Sequence, residues 1–241
     1  MDTIEDAVRS LRQGRFVLLH DGKDRENEVD MLIAAQFIRP EHIAVMRKDA
    51  GGLICLALSY EVASRLGLLY MHDILSIAAK NNSILSRMIY SYTPYGDRPS
   101  FSITVNHKDT YTGITDKDRA LTIAEMANIA AKVINGNSNE GIAEFVSSFR
   151  SPGHVPLLIA AKGLLHERRG HTEMAIRLAE MAGLVPAVAM CEMLDSSTYN
   201  ALSVDKACNY ARENGLCIIE GSTLYNYGND KKMYDNIKRI S

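Results

Sequence analysis

The chain has 241 residues, a formal net charge of −2 and a hydrophobic content of 46%. This balance suits one large globular domain and gives no sign of the basic face that nucleic-acid binding needs. No apolar run reaches the roughly 18 residues that span a membrane, and the acidic N-terminus lacks the apolar segment of a secretory signal. The four cysteines form no C-x-x-C pair typical of zinc. We therefore expect a cytoplasmic protein that binds neither nucleic acid nor membrane.

Short apolar runs predict strands, and runs with apolar residues three or four positions apart predict helices. A capping box at Thr3 and Asp6 opens the first helix, and Gly14 ends it. The predicted strands are 16–19, 30–35, 53–58, 100–106, 155–160, 186–191 and 216–220. The further predicted helices are 41–49, 60–67, 115–134, 172–183 and 203–213.

Four stretches fit this pattern less directly. Residues 68–99 have helical character in their first half but no clear place in the fold, whereas NGNSNEG (135–141) indicates a polar turn and Pro152-Gly153 a tight one. The polar tail 221–241 is expected to be loosely held. Since no linker divides the chain, we predict a single α+β domain, 1–241, with helices packed around a mixed sheet in an α/β/α sandwich.

The segment HDGKDRENEVD places five acids between two predicted strands. Glu26, Glu28 and Asp30 alternate, so on an extended chain they share one face and repel each other unless a cation lies between them. A divalent cation suits such carboxylates, but the spacing lacks the Gly and the final Glu of an EF-hand loop. A metal site and an ordinary solvated turn are both compatible with the loop alone.

The segment GLLHERRGHTEMA nearly matches two zinc motifs and fits neither. Its histidines are one residue too far apart for H-E-x-x-H, and no P-C-x-x-C follows the H-x-E as in zinc deaminases. Arg168, Arg169, Gly170 and Thr172 immediately precede or begin a predicted helix, whose N-terminus suits a phosphate that arginine can bind bidentately. An ordinary helix cap with a surface arginine pair is the alternative.

Three further polar positions are ambiguous. His154 follows Pro-Gly, Thr112 precedes a glycine that leads into a helix, and Glu192 ends an apolar strand. Each is compatible with a solvated or salt-bridged side chain as well as with a site. Together, the motifs supply acids for a metal, cations for a phosphate and groups for proton transfer. That combination indicates an enzyme acting on a phosphorylated, oxygen-rich small molecule.

The segments DRENEVD, TGITDKDRALTI, FRSPGHVPLL, RRGHTEMAIRLAEMAGLVPA and CEM occur in this order. They resemble 3,4-dihydroxy-2-butanone 4-phosphate synthase of riboflavin biosynthesis, over about residues 3–220. The resemblance implies a lyase that converts ribulose 5-phosphate into L-3,4-dihydroxy-2-butanone 4-phosphate and formate with Mg²⁺, for which Mn²⁺ can substitute. It also implies a homodimer with the active site between subunits. The zinc-binding cysteines of a fused GTP cyclohydrolase II domain are missing, so the monofunctional form is expected.

The resemblance assigns roles by matched position. The expected metal ligands are Glu26 and His171. The expected substrate-binding residues are Arg25, Asp30, Thr112, Arg168, Gly170, Thr172 and Glu192. The expected catalytic residues are Glu26, Glu28, Asp30, His154, Glu192 and Cys55. A non-catalytic sugar-phosphate sensor of the same fold is the main alternative, and a nucleotide- or RNA-binding relative is another.

One residue departs from the family pattern D-R-E-N-E-G-D. Val29 stands where the family has glycine, and a valine would be strained there if the position required a positive φ. The acidic loop is also expected to be mobile without substrate and to close over it.

Overall fold

The computed structural model describes residues 1–89 and 98–225. Within these ranges the framework is a seven-stranded mixed sheet in the order β4-β5-β3-β6-β2-β1-β9. Its strands are β1 Val17–His20, β2 Val29–Ala34, β3 Cys55–Leu58, β4 Phe101–His107, β5 Phe149–Ile159, β6 Ala187–Glu192 and β9 Cys217–Glu220. A small ribbon pairs β7 Leu194–Asp195 with β8 Asn200–Ala201. All seven predicted strands therefore form and join one sheet.

The helices are α1 Ile4–Arg12, α2 Pro40–Val45, α3 Tyr60–Arg65, α4 Met71–Ala79, α5 Ser83–Met88, α6 Asp116–Ile134, α7 Ser138–Ser148, α8 His171–Met181 and α9 Val204–Asn214. A π-helical turn, Met46–Ala50, continues α2. The capping box at Thr3 is confirmed, since its side chain accepts from the N–H of Asp6 and Asp6 reaches back to Thr3. None of these helices is long and apolar enough to cross a membrane.

The two faces of the sheet carry separate hydrophobic cores. Met31 and Ile33 of β2 pack with the α6 side, which includes Met126, whereas Leu32 packs with the α8 side, which includes Leu178. This alternation is the period-two pattern of a strand with both faces covered. Burying each such side chain stabilises the fold by roughly 1.5–3 kcal/mol. The predicted α+β sandwich is confirmed.

The turn predicted at 135–141 is wrong in its second half, because α7 begins at Ser138. Gly136 has a φ of +97° and ends α6 as predicted. Gly141, however, lies inside α7, where an added Cβ would come within 2.4 Å of Val133 Cγ1. This glycine permits close packing of α7 on α6, and so a residue that indicates a turn in sequence serves a helix contact instead.

The tight turn predicted at Pro152-Gly153 is also wrong. Both residues lie within β5, which pairs with β4 through an irregular register near Val105. A Cβ on Gly153 would lie 2.0 Å from the carbonyl carbon of Val105. The glycine therefore allows two backbones to approach at a bulge, which is a usual role of glycine in a strand.

Two stretches that the sequence left open are partly described. The helical character of residues 68–89 becomes α4 and α5, while 90–97 lie outside the described residues. At the C-terminus, Gly221–Leu224 form a 3₁₀ turn and Leu224 is buried. The rest of the predicted tail, 226–241, lies outside the described residues.

Strand pairing brings one end of each of four strands, β1, β2, β6 and β9, together at one edge of the sandwich. β1 and β2 form an antiparallel hairpin, and β6 runs antiparallel to β2 so that Glu192 pairs with Asp30. β9 runs parallel to β1 and places Glu220 beside His20. The start of α8 packs against the same region. The acidic loop, 21–28, therefore lies between the ends of β6 and β9.

Candidate active site

Asp21 organises the acidic loop from within. Its Oδ2 accepts the N–H of Glu26 at 3.0 Å and its Oδ1 accepts the N–H of Glu28 at 3.1 Å. Its own N–H donates to the Glu28 carbonyl at 3.3 Å, and its carboxylate is almost fully buried. These bonds give the loop one defined conformation, which is not that of a solvated turn. The predicted closure over a substrate stays a prediction.

Val29 does not strain the loop. It is the first residue of β2, is fully buried, and pairs with His20. The loop residues with a positive φ are Gly22, at 109°, and Asn27, at 56°; glycine is unstrained there and asparagine tolerates this conformation better than most residues. The concern raised by the missing glycine therefore does not apply to this chain.

A carboxylate–histidine cluster lies between the loop and the start of α8. Candidate ligand atoms of Asp21, Glu26 and His171 lie within 4.8 Å of one another. His171 Nδ1 is 3.4 Å from Glu26 Oε2 and 3.9 Å from Asp21 Oδ2, and His171 Nε2 is 3.6 Å from Asp30 Oδ1. The two predicted metal ligands, Glu26 and His171, are thus neighbours. Asp21 was not among the metal ligands expected from the sequence, because no local feature distinguishes it from the other acids of the loop.

The cluster fits a divalent cation. Carboxylate oxygens suit Mg²⁺, and an imidazole with carboxylates suits Mn²⁺ as well. Asp30 Oδ1 is buried and accepts no hydrogen bond in the described parts of the chain. A buried carboxylate oxygen without a donor is costly unless a positive charge lies nearby.

The charges in the cluster shift one another's protonation. Burial raises the pKa of Asp30 to about 7, with further increases from Glu192 and Glu26 and an opposing effect of His171. Burial together with Glu26 and Glu192 also raises the pKa of Glu28. Burial alone would lower the pKa of His171, but Asp30, Glu26 and Asp21 outweigh it and raise that pKa to about 9. The imidazolium thus supplies positive charge where a metal would.

Glu192, at the end of β6, is held by hydrogen bonds from the loop that leads into β3. Its Oε2 accepts the N–H of Leu53 at 2.7 Å, and its carbonyl accepts the N–H of Gly52 at 3.0 Å. A Cβ on Gly52 would come within 2.4 Å of Glu192 Oε2, so only glycine allows this approach. Cys55 lies behind the acids in the core, where burial, Glu192 and Asp30 raise the pKa of its thiol. Cys55 is therefore a neutral thiol rather than a thiolate.

A cleft of about 530 Å³ adjoins the cluster and shares Asp21 with it. Its lining is mixed in charge: Lys23, Arg25, Arg168 and Arg169 stand beside the acids Asp21, Asp24, Glu167 and Glu220. The Arg169 guanidinium lies over the Tyr225 ring, 4.6 Å from its centroid. Within this mixed lining, the arginines are the groups suited to an anion such as a phosphate, because a guanidinium can bind phosphate oxygens bidentately.

Glu173, to which the sequence analysis assigned no role, holds neighbouring residues of the candidate site in place. Its buried carboxylate accepts from Arg168 Nη1 at 2.6 Å and from the N–H groups of Gly170, at 3.2 Å, and Ala161, at 2.9 Å. A Cβ on Gly170 would lie 2.2 Å from Arg168 Nη1. Glu173 therefore fixes Arg168 across the glycine and holds the start of α8, where Thr172 is buried beside His171. A glutamate three residues after the helix cap is the signal that could have indicated it.

His154 and Thr112 lie apart from the cluster within one chain. The exposed His154 donates its N–H to Asn106 Oδ1 at 2.7 Å, and Asn106 Nδ2 donates to the Thr112 carbonyl at 3.5 Å. This group belongs to β4, β5 and the loop before α6, and β3 and β6 separate β5 from β2. The structure thus unites the predicted acids, Arg25, Arg168 and the α8 residues, but places His154 and Thr112 elsewhere.

Fold and site together are those of an enzyme with a candidate metal site of carboxylates and a histidine beside an arginine-lined cleft. Residues 5–227 match the family of 3,4-dihydroxy-2-butanone 4-phosphate synthase. The chain belongs to this family, which confirms the resemblance indicated by the motifs.

Relatives of the same name match along most of their length. Those from Methanothermobacter thermautotrophicus and Archaeoglobus fulgidus are 48% and 46% identical, over 92% and 91% of this chain and 93% and 91% of theirs. The crystal structure of a 3,4-dihydroxy-2-butanone 4-phosphate synthase in complex with two magnesium ions has a TM-score of 0.77 at 27% identity, over 97% of this chain and 100% of that one. The Candida albicans enzyme has a TM-score of 0.72 at 31% identity, over 94% and 97%.

Proposed function

We propose that the cluster and the cleft form the active site at which this chain converts ribulose 5-phosphate into L-3,4-dihydroxy-2-butanone 4-phosphate and formate. The observation that carries the proposal is the 3.4 Å approach of Glu26 to His171, beside a cleft lined by Arg25 and Arg168. The two ends of a small phosphorylated sugar need these two environments, one rich in oxygen ligands and one cationic.

Glu26 and His171 would hold the metal, and Asp21 lies within reach of the same ion. When bound, Mg²⁺ supplies Lewis-acid polarisation of the sugar's carbonyl and hydroxyl oxygens. Mn²⁺ suits the same residues because one of them is an imidazole. The two magnesium ions in the relative's structure support a metal-dependent reaction here.

Arg25 and Arg168 bind the phosphate of the substrate, aided by Gly170 and Thr172 at the start of α8. A helix N-terminus adds its free N–H groups and the positive end of its dipole. Glu173 keeps Arg168 in place through the 2.6 Å bond, so that the guanidinium is oriented before the substrate arrives. Preorganised cations of this kind convert binding energy into correct placement of the reacting carbons.

Asp30, Glu28 and Glu192 face the sugar and move protons. The reaction removes the C3 proton to give an enediol, loses the C1 hydroxyl as water and shifts the carbon skeleton. A water molecule then adds to C4, which leaves as formate. Each step needs a group that can both accept and release a proton near neutral pH. Asp30, with a pKa of about 7, and Glu28, whose pKa is also raised, have that property.

A second copy of the chain completes the site with His154 and Thr112. Their position on the far side of β3 and β6 prevents them from reaching the cluster of their own chain. Two exposed apolar side chains, Tyr111 and Ile114, flank Thr112 and would be covered by a partner. A symmetric homodimer, in which each subunit lends these residues to the other, accounts for both features.

The protein works in the cytoplasm. All four cysteines are free thiols, and Cys55, Cys191 and Cys217 are buried, as suits a reducing compartment.

The deciding experiment measures formate release from ribulose 5-phosphate with and without Mg²⁺. We expect metal-dependent formate from the native chain and none from Glu26→Gln, which keeps the size of the side chain and removes its charge. Substrate binding without formate would instead identify a sugar-phosphate sensor. A Glu26→Gln variant as active as the native chain would contradict the assignment of the metal centre.

A further inference from the structure

His20, which has no role in the site described above, bridges two distant parts of the chain. It is the last residue of β1 and is 3% exposed. Its Nδ1 donates to Glu220 Oε2 at 2.8 Å, and its Nε2 lies 3.1 Å from Oδ1 of Asn27. A buried imidazole thus joins the acidic loop to the end of β9.

Asn27, at the loop end of this bridge, is a residue whose backbone conformation turns the acidic loop. Asn27 has a φ of 56° and stands between Glu26, a metal ligand, and Glu28. A left-handed residue turns the chain sharply, so its conformation decides where both neighbouring carboxylates point. With Nδ1–H of His20 given to Glu220, the Asn27 amide can donate its N–H to Nε2 when its oxygen and nitrogen are exchanged, and this contact holds the side chain of the left-handed residue.

The other end of the bridge is firmly anchored. Glu220 pairs with His20 across the parallel strands β1 and β9. The next residue is Gly221, where a Cβ would come within 2.9 Å of the His20 carbonyl and 2.4 Å of Met174 Sδ. This close packing of Gly221 against the His20 backbone and the Met174 side chain holds the end of β9, and with it the Glu220 carboxylate, beside the imidazole.

We propose that His20 is a positioning residue for the active site: by bridging Asn27 and Glu220 it holds the acidic loop in the conformation that places Glu26 beside His171. This inference rests on the proposed function of the cluster as the metal centre. His20 contacts neither the substrate nor the metal. It acts through Asn27 on the direction of Glu26, one step further from the metal than a group bonded to the ligand itself.

The test uses the full chain with His20→Phe, Asn27→Gly, Glu220→Leu and Glu220→Gln. His20→Phe keeps the ring volume, and Asn27→Gly keeps the positive φ while removing the amide. Mn²⁺ affinity is measured by titration, and amide hydrogen exchange at Glu26 and Glu28 is measured without metal. We expect the first three variants to bind Mn²⁺ about 10- to 100-fold more weakly and to exchange both amides faster. Glu220→Gln keeps an acceptor and should restore native values.

His72→Phe on α4 is the matched control, since it makes the same change outside the bridge, and it should leave Mn²⁺ affinity unchanged. Lower thermal stability of His20→Phe with native Mn²⁺ affinity and native amide exchange would overturn the proposal, because His20 would then serve folding alone. Native affinity in Asn27→Gly would overturn it too. Mn²⁺ binding is read independently of turnover. Weakened Mn²⁺ binding in the variants, together with no formate release from the native chain, would support the bridge and refute the proposed reaction.

Discussion

The carboxylate of Glu173, in the first turn of α8, lies with its Oε2 2.6 Å from Nη1 of Arg168, which lines the cleft. Both side chains are largely buried, so each neutralises a charge that would be costly alone. The pair ties a cleft residue to the first turn of α8 and so to His171. The start of α8 therefore connects the proposed phosphate-binding residue Arg168 with the proposed metal ligand His171.

Replacing Glu173 with glutamine should affect substrate binding and stability together. The change removes the charge that balances Arg168 and weakens the three hydrogen bonds that the carboxylate accepts. Breaking a buried ion pair costs about 3–5 kcal/mol when one charge is left alone, so we expect a clear loss in denaturant unfolding and a raised KM. Glu180→Gln near the other end of α8 is the control. An unchanged KM would show that Arg168 needs no support from Glu173.

Asp21→Asn should impair the metal centre although the side chain keeps its shape. An amide offers one acceptor oxygen where the carboxylate offers two, so the N–H of either Glu26 or Glu28 loses its partner. It also removes negative charge from beside His171. We expect about 10- to 100-fold weaker Mn²⁺ binding, measured by titration calorimetry. Native affinity in Asp21→Asn would exclude Asp21 from the centre.

Metal affinity should rise with pH. The pKa of His171 is raised to about 9 without metal, so below pH 9 a metal ion must displace a proton from the imidazole. Apparent Mn²⁺ affinity should therefore increase about tenfold per pH unit until it levels off near pH 9. Below pH 7 the dependence should steepen, because Asp30, with a pKa of about 7, then becomes protonated as well. Affinity that is flat between pH 6 and 9 would contradict a metal on His171.

Val29→Gly, which restores the residue expected from the family pattern, should destabilise this chain without improving turnover. Val29 is fully buried in extended backbone, so the glycine removes core contacts and adds freedom to the unfolded chain. We expect a loss of about 2–4 kcal/mol in the free energy of unfolding. Val29→Ala should lose less. Faster turnover in Val29→Gly would show that the loop needs the glycine after all.

Most helices and strands could be predicted because the spacing of apolar residues and the positions of glycines indicate the same element boundaries along the chain. The failures share a physical cause. Gly141 and Gly153 indicate turns by composition, but in the structure each allows another segment to approach closely, which depends on distant residues. The roles of Asp21 and Glu173 were not predicted, because both residues act through the hydrogen bonds that their carboxylates accept. A sequence shows the acid but not the donors around it.

The division of the predicted site between subunits can be tested by complementation. The experiment uses a heterodimer of one Glu26→Gln chain and one His154→Ala chain, purified with two different tags. If each site combines the cluster of one chain with His154 of the other, one of the two sites stays intact. About half of the native formate release is then expected from two chains that are each inactive as homodimers.

A heterodimer of Glu26→Gln with His171→Ala is the matched control for this experiment. Both changes fall on the cluster that one chain forms by itself, so each site carries one defect and no activity should return. If His154 acted on the cluster of its own chain, the first heterodimer would be as inactive as this control. Recovery in the first pair and not in the second requires that His154 cross to the partner, since no arrangement within a single chain distinguishes the two pairs.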